Sequence, residues 1–199
     1  MGNDFTWYFA PRIGNFIRRF PSVELNLQIG RAVEVMTDLE RGALDVGLGV
    51  FHEFAKGVHR EVVAESGIAL VCAEGHPLLT ARTPGLADIA RHRLLVAPRH
   101  ALTRQRIDRT FRAAGVTPRS YLEAGNCPTA LAFAARGIGV AIVHSLCAGH
   151  LAERGLRVID LTQHFGTIEI YAAYRRGKAP TPALGGLLEA LTATPVGAL

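Results

Sequence analysis

The 199-residue sequence has no long hydrophobic run, and no apolar stretch reaches the roughly 18 residues that a membrane-spanning helix needs. Its first residues, MGNDFTWYFAPR, lack the basic segment followed by an apolar one that marks a secretory signal. Only three cysteines occur, Cys72, Cys127 and Cys147, and they are not closely paired, as is typical of a reducing compartment. These absences predict a cytoplasmic protein with no membrane partner.

Signatures of catalysis and metal binding are also missing. The sequence has no Gly-x-Ser-x-Gly elbow, no His-Glu-x-x-His pair and no phosphate-binding Gly-x-x-x-x-Gly-Lys loop. His144 and His150 are spaced poorly for one helix face, and no cysteine pair accompanies them. Gly137 and Gly139 fit a helix end leading into a strand better than a dinucleotide loop. We therefore expect no enzyme, no metal and no cofactor. Catalysis through Cys127 or His144 is the alternative.

The net charge of +5 does not by itself indicate a nucleic-acid partner, because the arginines are scattered along the chain. In the densest group, Arg99 to Arg112, the residues Arg104, Asp108 and Arg112 lie four apart, which predicts ion pairs on a solvated helix face. No helix-turn-helix, zinc finger or basic zipper arm is present. We expect DNA to be bound only through a segment outside this chain.

Residues 20–50 predict a strand, a helix and a second strand. Apolar and polar residues alternate over Val23 to Gln28, helical spacing follows until Gly42, and alternation returns over Ala43 to Val50. Parallel units of this kind bind ligands at the carboxyl ends of their strands, here near Gly30 and near Gly49 to Phe51.

The rest of the chain alternates in the same way. Further helices are predicted over 11–20, 86–90, 103–114, 128–136, 145–153 and 181–191. Further strands are predicted over 67–73, 93–97, 121–124, 138–143, 156–161 and 167–174. This alternation indicates an α/β protein with helices flanking its sheets.

Four motifs resemble the effector-binding region of LysR-type bacterial transcription regulators, in that family's order. They are RGALDVGLG (41–49), VCAEGHPLL (71–79), LADIARHRLLV (86–96) and ALAFAARGIGVAIV (130–143). The resemblance implies a two-lobed, periplasmic-binding-protein-like (type II) fold with mixed, mostly parallel sheets. Lobe I would take residues 1–72 and 168–199, and lobe II residues 73–167.

The N-terminus departs from the family's pattern. Members have a hydrophobic strand before the first helix, whereas this chain starts with MGNDFTWYF and lacks residues for most of it. Three explanations stay open: the chain is a fragment, its start codon is placed late, or the strand is reduced to a few residues around Asp4 to Thr6.

Matching the family's motifs residue by residue implies a ligand site in strand-end loops of both lobes, formed by Thr6, Arg31, Phe51, Asn126 and Thr129. Simpler roles exist for three of them: Thr6 as a helix cap, Arg31 as a solvated charge and Phe51 as a core residue. Family members often place serine or threonine just after Gly125, where Asn126 and Cys127 stand here.

The resemblance implies the ligand-sensing domain of a LysR-type transcription regulator. Because helix N-termini suit carboxylates, we expect a small anionic effector, bound between the lobes to control transcription. The family commonly forms homodimers or higher homo-oligomers, with the helix at 32–41 of one copy a candidate to contact the helix at 103–114 of another. The alternative is a stand-alone solute-binding protein of the same fold, which an upstream signal peptide would favour.

Overall fold

The computed structural model describes residues 5–81, 83–148, 155–175 and 181–192. The helices in these ranges are α1 (Thr6–Arg19), α2 (Ala32–Arg41), α3 (Leu86–Ala90), α4 (Leu102–Ala113), α5 (Cys127–Ala134), α6 (Thr162–Phe165) and α7 (Pro182–Thr192). The strands are β1 (Val46–Gly49), β2 (Val58–Ser66), β3 (Ile68–Ala73), β4 (Arg93–Val96), β5 (Ser120–Glu123), β6 (Val140–His144), β7 (Leu156–Asp160) and β8 (Ile168–Arg175). None of the helices described is long and apolar enough to cross a bilayer.

The chain divides into two compact units. Unit 1 takes the described residues of 1–65 and 169–199, and unit 2 takes those of 66–168. The polypeptide therefore passes from one unit to the other twice. The lobe boundaries that the resemblance implies, 1–72 with 168–199 and 73–167, stay a prediction.

Unit 2 is built on a five-stranded mixed sheet in the order β5-β4-β6-β3-β7. β4 pairs in parallel with β5 and β6, whereas β3 pairs antiparallel with β6 and β7. Residues 68–72 of β3 are at most 1% exposed. A continuous apolar run suits this position, because a strand inside a covered sheet is buried on both faces.

Helices cover the two faces of β6 differently. Ala141 and Val143 face α5, whose buried residues belong to the same apolar cluster. His144 points to the opposite face and contacts Thr103 of α4. Successive side chains of a strand alternate between faces, so β6 places a purely apolar layer under α5 and a polar contact under α4.

Unit 1 contains a smaller sheet in the order β1-β8-β2, in which β1 and β8 are antiparallel. α2 covers this sheet: its buried residues Val35 and Leu39 form a cluster with Phe51 and Ala173. Gly47 permits the close approach, since a Cβ there would collide with the side chain of Val35. This packing positions the start of α2, one of the predicted ligand loops.

The N-terminal part of unit 1 differs from the sequence prediction. α1 begins at Thr6 with Phe5 as its N-cap residue, so from Phe5 onward the chain enters a helix rather than a strand. Residues 23–28, predicted as a strand, form neither helix nor strand, and no described strand pairs with them. A strand needs a neighbour for its backbone hydrogen bonds, and without one Leu27 and Ile29 remain 49% and 57% exposed.

Other differences are local. The nine-residue strand β2 and the short helix α6 were not predicted. In the described part of the helix predicted over 145–153, a 3-10 turn forms at Ser145–Cys147, and residues 149–153 of that prediction lie outside the described ranges. Most remaining boundaries differ by one to three residues, because end residues are decided by local hydrogen bonds rather than by periodicity.

Replacing Gly139 with alanine should destabilise unit 2. A Cβ at this position would come closer to the carbonyl oxygen of Arg93 than real Cβ atoms do, and backbone cannot move aside cheaply. We expect Gly139→Ala to lower the free energy of unfolding by about 1–3 kcal/mol, as is typical of overpacking. Urea denaturation followed by circular dichroism measures it.

The matched control is Gly125→Ala in the same unit. No atom lies within 4 Å of a Cβ built there, so the variant should unfold close to the parent. Equal destabilisation by both substitutions would mean that the Arg93 carbonyl does not limit the space at Gly139.

Candidate functional site

Polar side chains gather at one edge of the unit 2 sheet. The parallel strands β4, β5 and β6 all end at this edge, and antiparallel β3 begins there. The loop 97–99, the start of α5 and the turn Ser145–Cys147 follow those strand ends. Carboxyl ends of parallel strands are where ligands of α/β sheets bind. We call this part of unit 2 the carboxyl edge.

Asn126 and Thr129 meet at the start of α5. Asn126 is the N-cap residue, and its side-chain oxygen accepts a hydrogen bond of 2.9 Å from the backbone N–H of Thr129. Thr129 is exposed in the first helical turn. The start of α5 places the positive end of the helix dipole at this sheet edge, which is a suitable environment for an anion.

Thr103 and His144 form a buried pair at the same edge. The Thr103 Oγ1 and His144 Nε2 atoms are 2.7 Å apart, and the two residues are 7% and 5% exposed. Burial, with a smaller contribution from the positive charge of Arg106, lowers the pKa of His144 to about 4. The imidazole is therefore neutral near pH 7, and its position under α4 suits packing better than proton transfer to a bound molecule.

Two serines complete the carboxyl edge. The hydroxyl oxygens of Ser66 and Ser145 lie 3.2 Å apart, and the Ser66 hydroxyl also donates to the carbonyl of Gly67 at 2.9 Å. Ser66 and Thr103 were not predicted as part of a site, and His144 was considered only as a catalytic alternative. The available signal was position: each lies at a strand end or in the first turn of a helix at this edge.

The ion pair predicted between Arg104 and Asp108 is present, with Nε and Oδ1 2.8 Å apart. The prediction of a solvated face is wrong for Arg104, which is only 3% exposed. Its guanidinium lies 4.2 Å from the ring centre of Tyr121 and 3.8 Å from the Glu123 carboxylate, both on β5. β5 therefore covers this arginine and offsets its buried charge.

The predicted site residues of unit 1 have separate surroundings. Thr6 opens α1, and its side chain is outside the described part of the structure. Arg31 is exposed at the start of α2, where its backbone N–H donates to the Glu34 carboxylate at 2.9 Å. Phe51 is 7% exposed and packs in the cluster beneath α2. Thus, of the five residues, the structure places Asn126 and Thr129 side by side, and their binding role stays a prediction.

Unit 1 also contains an open groove of about 410 Å³ beside α2. Its lining includes Ile29, Val33 and Leu44, together with the carboxylates of Glu34 and Asp38. Arg41 also lines the groove, and two carboxylates against one guanidinium leave the lining net negative, which does not favour the expected anion. No group of three or more potential ligands for a metal ion occurs among the described residues.

Solved ligand-binding domains of transcription regulators share this fold. The cofactor-binding domain of the Cbl regulator superposes with a TM-score of 0.84 at 23% identity, covering 94% of this chain and 83% of that one. The regulatory domain of Synechocystis CcmR in complex with 2-PG gives 0.82 at 16% identity, covering 95% and 91%. These likenesses establish the two-lobed, periplasmic-binding-protein-like α/β fold with mixed sheets.

Sequence comparison identifies the family. The model of the LysR substrate binding domain matches residues 3–195. The chain is 26% identical over 184 residues to the regulator CysB of Burkholderia cenocepacia, covering 92% of this chain and 58% of that protein. It is 25% identical over 185 residues to the RuBisCO operon transcriptional regulator of Allochromatium vinosum, covering 92% and 61%. The chain belongs to the LysR substrate binding domain family, and it spans about three-fifths of these curated relatives.

The lowered pKa of His144 should make stability depend on pH. Its folded pKa of about 4 lies below the ordinary 6.5, so between these values the unfolded chain binds a proton that the folded chain does not. The free energy of unfolding should therefore fall as the pH drops from 6.5 to 4, by about 3 kcal/mol in total from this residue. Urea denaturation at a series of pH values measures the slope.

His144→Asn should flatten this part of the pH profile, whatever its effect on stability at pH 7. His100→Asn is the control, because His100 is exposed and its replacement should preserve the parental profile. A parental slope that persists in His144→Asn would refute the assignment.

Proposed function

We propose that this chain is the ligand-sensing domain of a LysR-type transcription regulator and that its effector is a small carboxylate. The observation that carries the proposal is the family match over residues 3–195. The DNA-binding activity and the control of transcription would belong to the longer regulator, which we expect to act in the cytoplasm. The placement of the effector between the two lobes stays part of the prediction.

The chemistry of the carboxyl edge supports an anionic effector. The start of α5 combines the positive end of the helix dipole with the Asn126 cap and the exposed Thr129. Two solved neighbours are described with small ligands: 2-PG for CcmR and the effector benzoate, a carboxylate, for BenM. Both share the fold with this chain at 16% and 17% identity, so they support the class of ligand and not its identity.

Ligand binding would control transcription by shifting a conformational equilibrium. An effector changes such an equilibrium only by its differential affinity for the two states, which typically amounts to about 1–3 kcal/mol. A sensor domain therefore needs a site whose affinity differs between the two states, and strand ends and helix starts can provide one because small movements alter them. The carboxyl edge has this composition.

A thermal-shift screen of aromatic acids, amino acids and dicarboxylates tests the proposal. At least one carboxylate should raise the melting temperature in a concentration-dependent way, because a ligand that binds only the folded state stabilises it. Isothermal titration calorimetry then gives the dissociation constant. If no anion stabilises the chain while a neutral or cationic compound does, the carboxylate assignment is wrong.

Asn126→Asp tests the position of the site. Aspartate still accepts the hydrogen bond from the Thr129 N–H, so the free domain should keep its stability. Its added negative charge should weaken binding of the carboxylate by about tenfold or more, equivalent to about 1.4 kcal/mol. Asn126→Ser is the control, since it keeps the cap without the charge. Equal affinities of the two variants would place the carboxylate elsewhere.

Self-association through α2 is a second expectation of this function. Val33 is 60% exposed in the first turn of α2, the helix predicted to contact α4 of another copy. Val33→Arg should shift sedimentation velocity profiles toward monomer, because a buried charge in an interface is costly. Val158→Arg, on the 46% exposed Val158 of β7, adds the same charge and should not. A parent chain that stays monomeric at high concentration would contradict the pairing.

A further inference from the structure

Two of the three cysteines border one apolar cluster in unit 2. Cys127, the first residue of α5, is a buried member of that cluster and is 6% exposed. Cys147, the last residue of the 3-10 turn after β6, is partly buried and packs against the same cluster. All three cysteines of the chain are reduced thiols.

The sheet topology places both cysteines at the carboxyl edge. α5 begins just after β5 ends, and the turn that contains Cys147 directly follows the end of β6. β5 and β6 both pair in parallel with β4, so their carboxyl ends lie at one edge. Ala141 and Val143 of β6 face α5, and α5 begins at the edge where β6 ends. Cys147 follows β6, so it contacts the apolar cluster near the N-terminal end of α5.

Their different exposure gives the two thiols different access to solvent. Cys147 is partly exposed, so a small oxidant can reach it from solvent, whereas Cys127 is buried in the cluster. Cys72 is neither exposed nor part of this cluster. It is 0% exposed within β3, it follows Val71 and so points to the sheet face opposite the cluster, and burial raises the pKa of its thiol. Cys72 therefore serves as an internal reference.

We propose that Cys127 and Cys147 are an oxidisable dithiol that a hydroperoxide converts to an intramolecular disulfide. The Cys147 thiolate attacks the peroxide O–O bond, which gives a sulfenic acid and releases one water from hydrogen peroxide. The Cys127 thiolate then attacks that sulfur, forms the S–S bond and displaces the sulfenic hydroxyl as a second water. Two thiols lose two electrons, and one peroxide is reduced to two waters.

The bond would link the first residue of α5 to the segment after β6. Asn126 and Thr129 lie in that same helix start, so a disulfide there restrains the loop to which we assign the effector. This consequence rests on the proposed function, whereas formation of the disulfide does not. The domain would then respond both to a carboxylate and to oxidation at the same edge of the sheet.

Intact-mass spectrometry of the peroxide-treated chain tests the proposal without any ligand. Oxidation should remove the mass of two hydrogen atoms and protect two of the three cysteines from alkylation, and dithiothreitol should reverse both changes. Peptide mapping should find Cys127 joined to Cys147. Cys72→Ser should oxidise like the parent, whereas Cys127→Ser should stop at a sulfenic acid on Cys147, which dimedone traps.

Three results would overturn the proposal. The first is a mass loss that survives in Cys127→Ser or in Cys147→Ser. The second is a disulfide that includes Cys72, or one that appears only between chains on a non-reducing gel. The third is independent oxygen addition to the cysteines with no loss of hydrogen. If both serine variants were poorly folded, peptide mapping of the oxidised parent chain would still decide which sulfurs are joined.

Discussion

The alternation of side chains along β6 is the constraint on which the arrangement of unit 2 depends. β6 lies between β4 and β3 in the sheet. α5 packs on one of its faces and α4 contacts the other, so each residue of β6 must suit one helix or the other. Ala141 and Val143 are small enough for α5 to approach the sheet. His144 faces α4 and needs the Thr103 hydroxyl, because a buried imidazole without a hydrogen bond is costly. A shift of one residue in register would exchange these environments.

Parallel pairing of β4, β5 and β6 forms the candidate site. It brings three strand ends to one edge, and with them the start of α5, a buried neutral imidazole and several hydroxyl groups. The nearby Arg104 guanidinium already pairs with the carboxylates of Asp108 and Glu123 and lies over the ring of Tyr121. Arg104 is therefore a poor partner for an anion at this edge.

Family membership and local chemistry answer different questions. The match over residues 3–195 assigns the fold and the general role, but the family accommodates many effectors on one scaffold. We expect specificity to come from the few side chains at the strand ends. Here Asn126 and Cys127 occupy the positions where the resemblance leads one to expect a hydroxyl, and both also serve the helix start, one as its cap and the other as part of the core.

Periodicity and turn residues in the sequence determined the α/β class, most helices and the buried strands, because an apolar pattern needs only its own spacing to be recognised. The resemblance in four motifs added the two-lobed fold. Tertiary structure decided the remainder: that residues 23–28 form no strand, that Arg104 is buried, and that Thr103 meets His144. Each depends on a partner distant in sequence, and a one-dimensional pattern contains no information on which strand or side chain that partner will be.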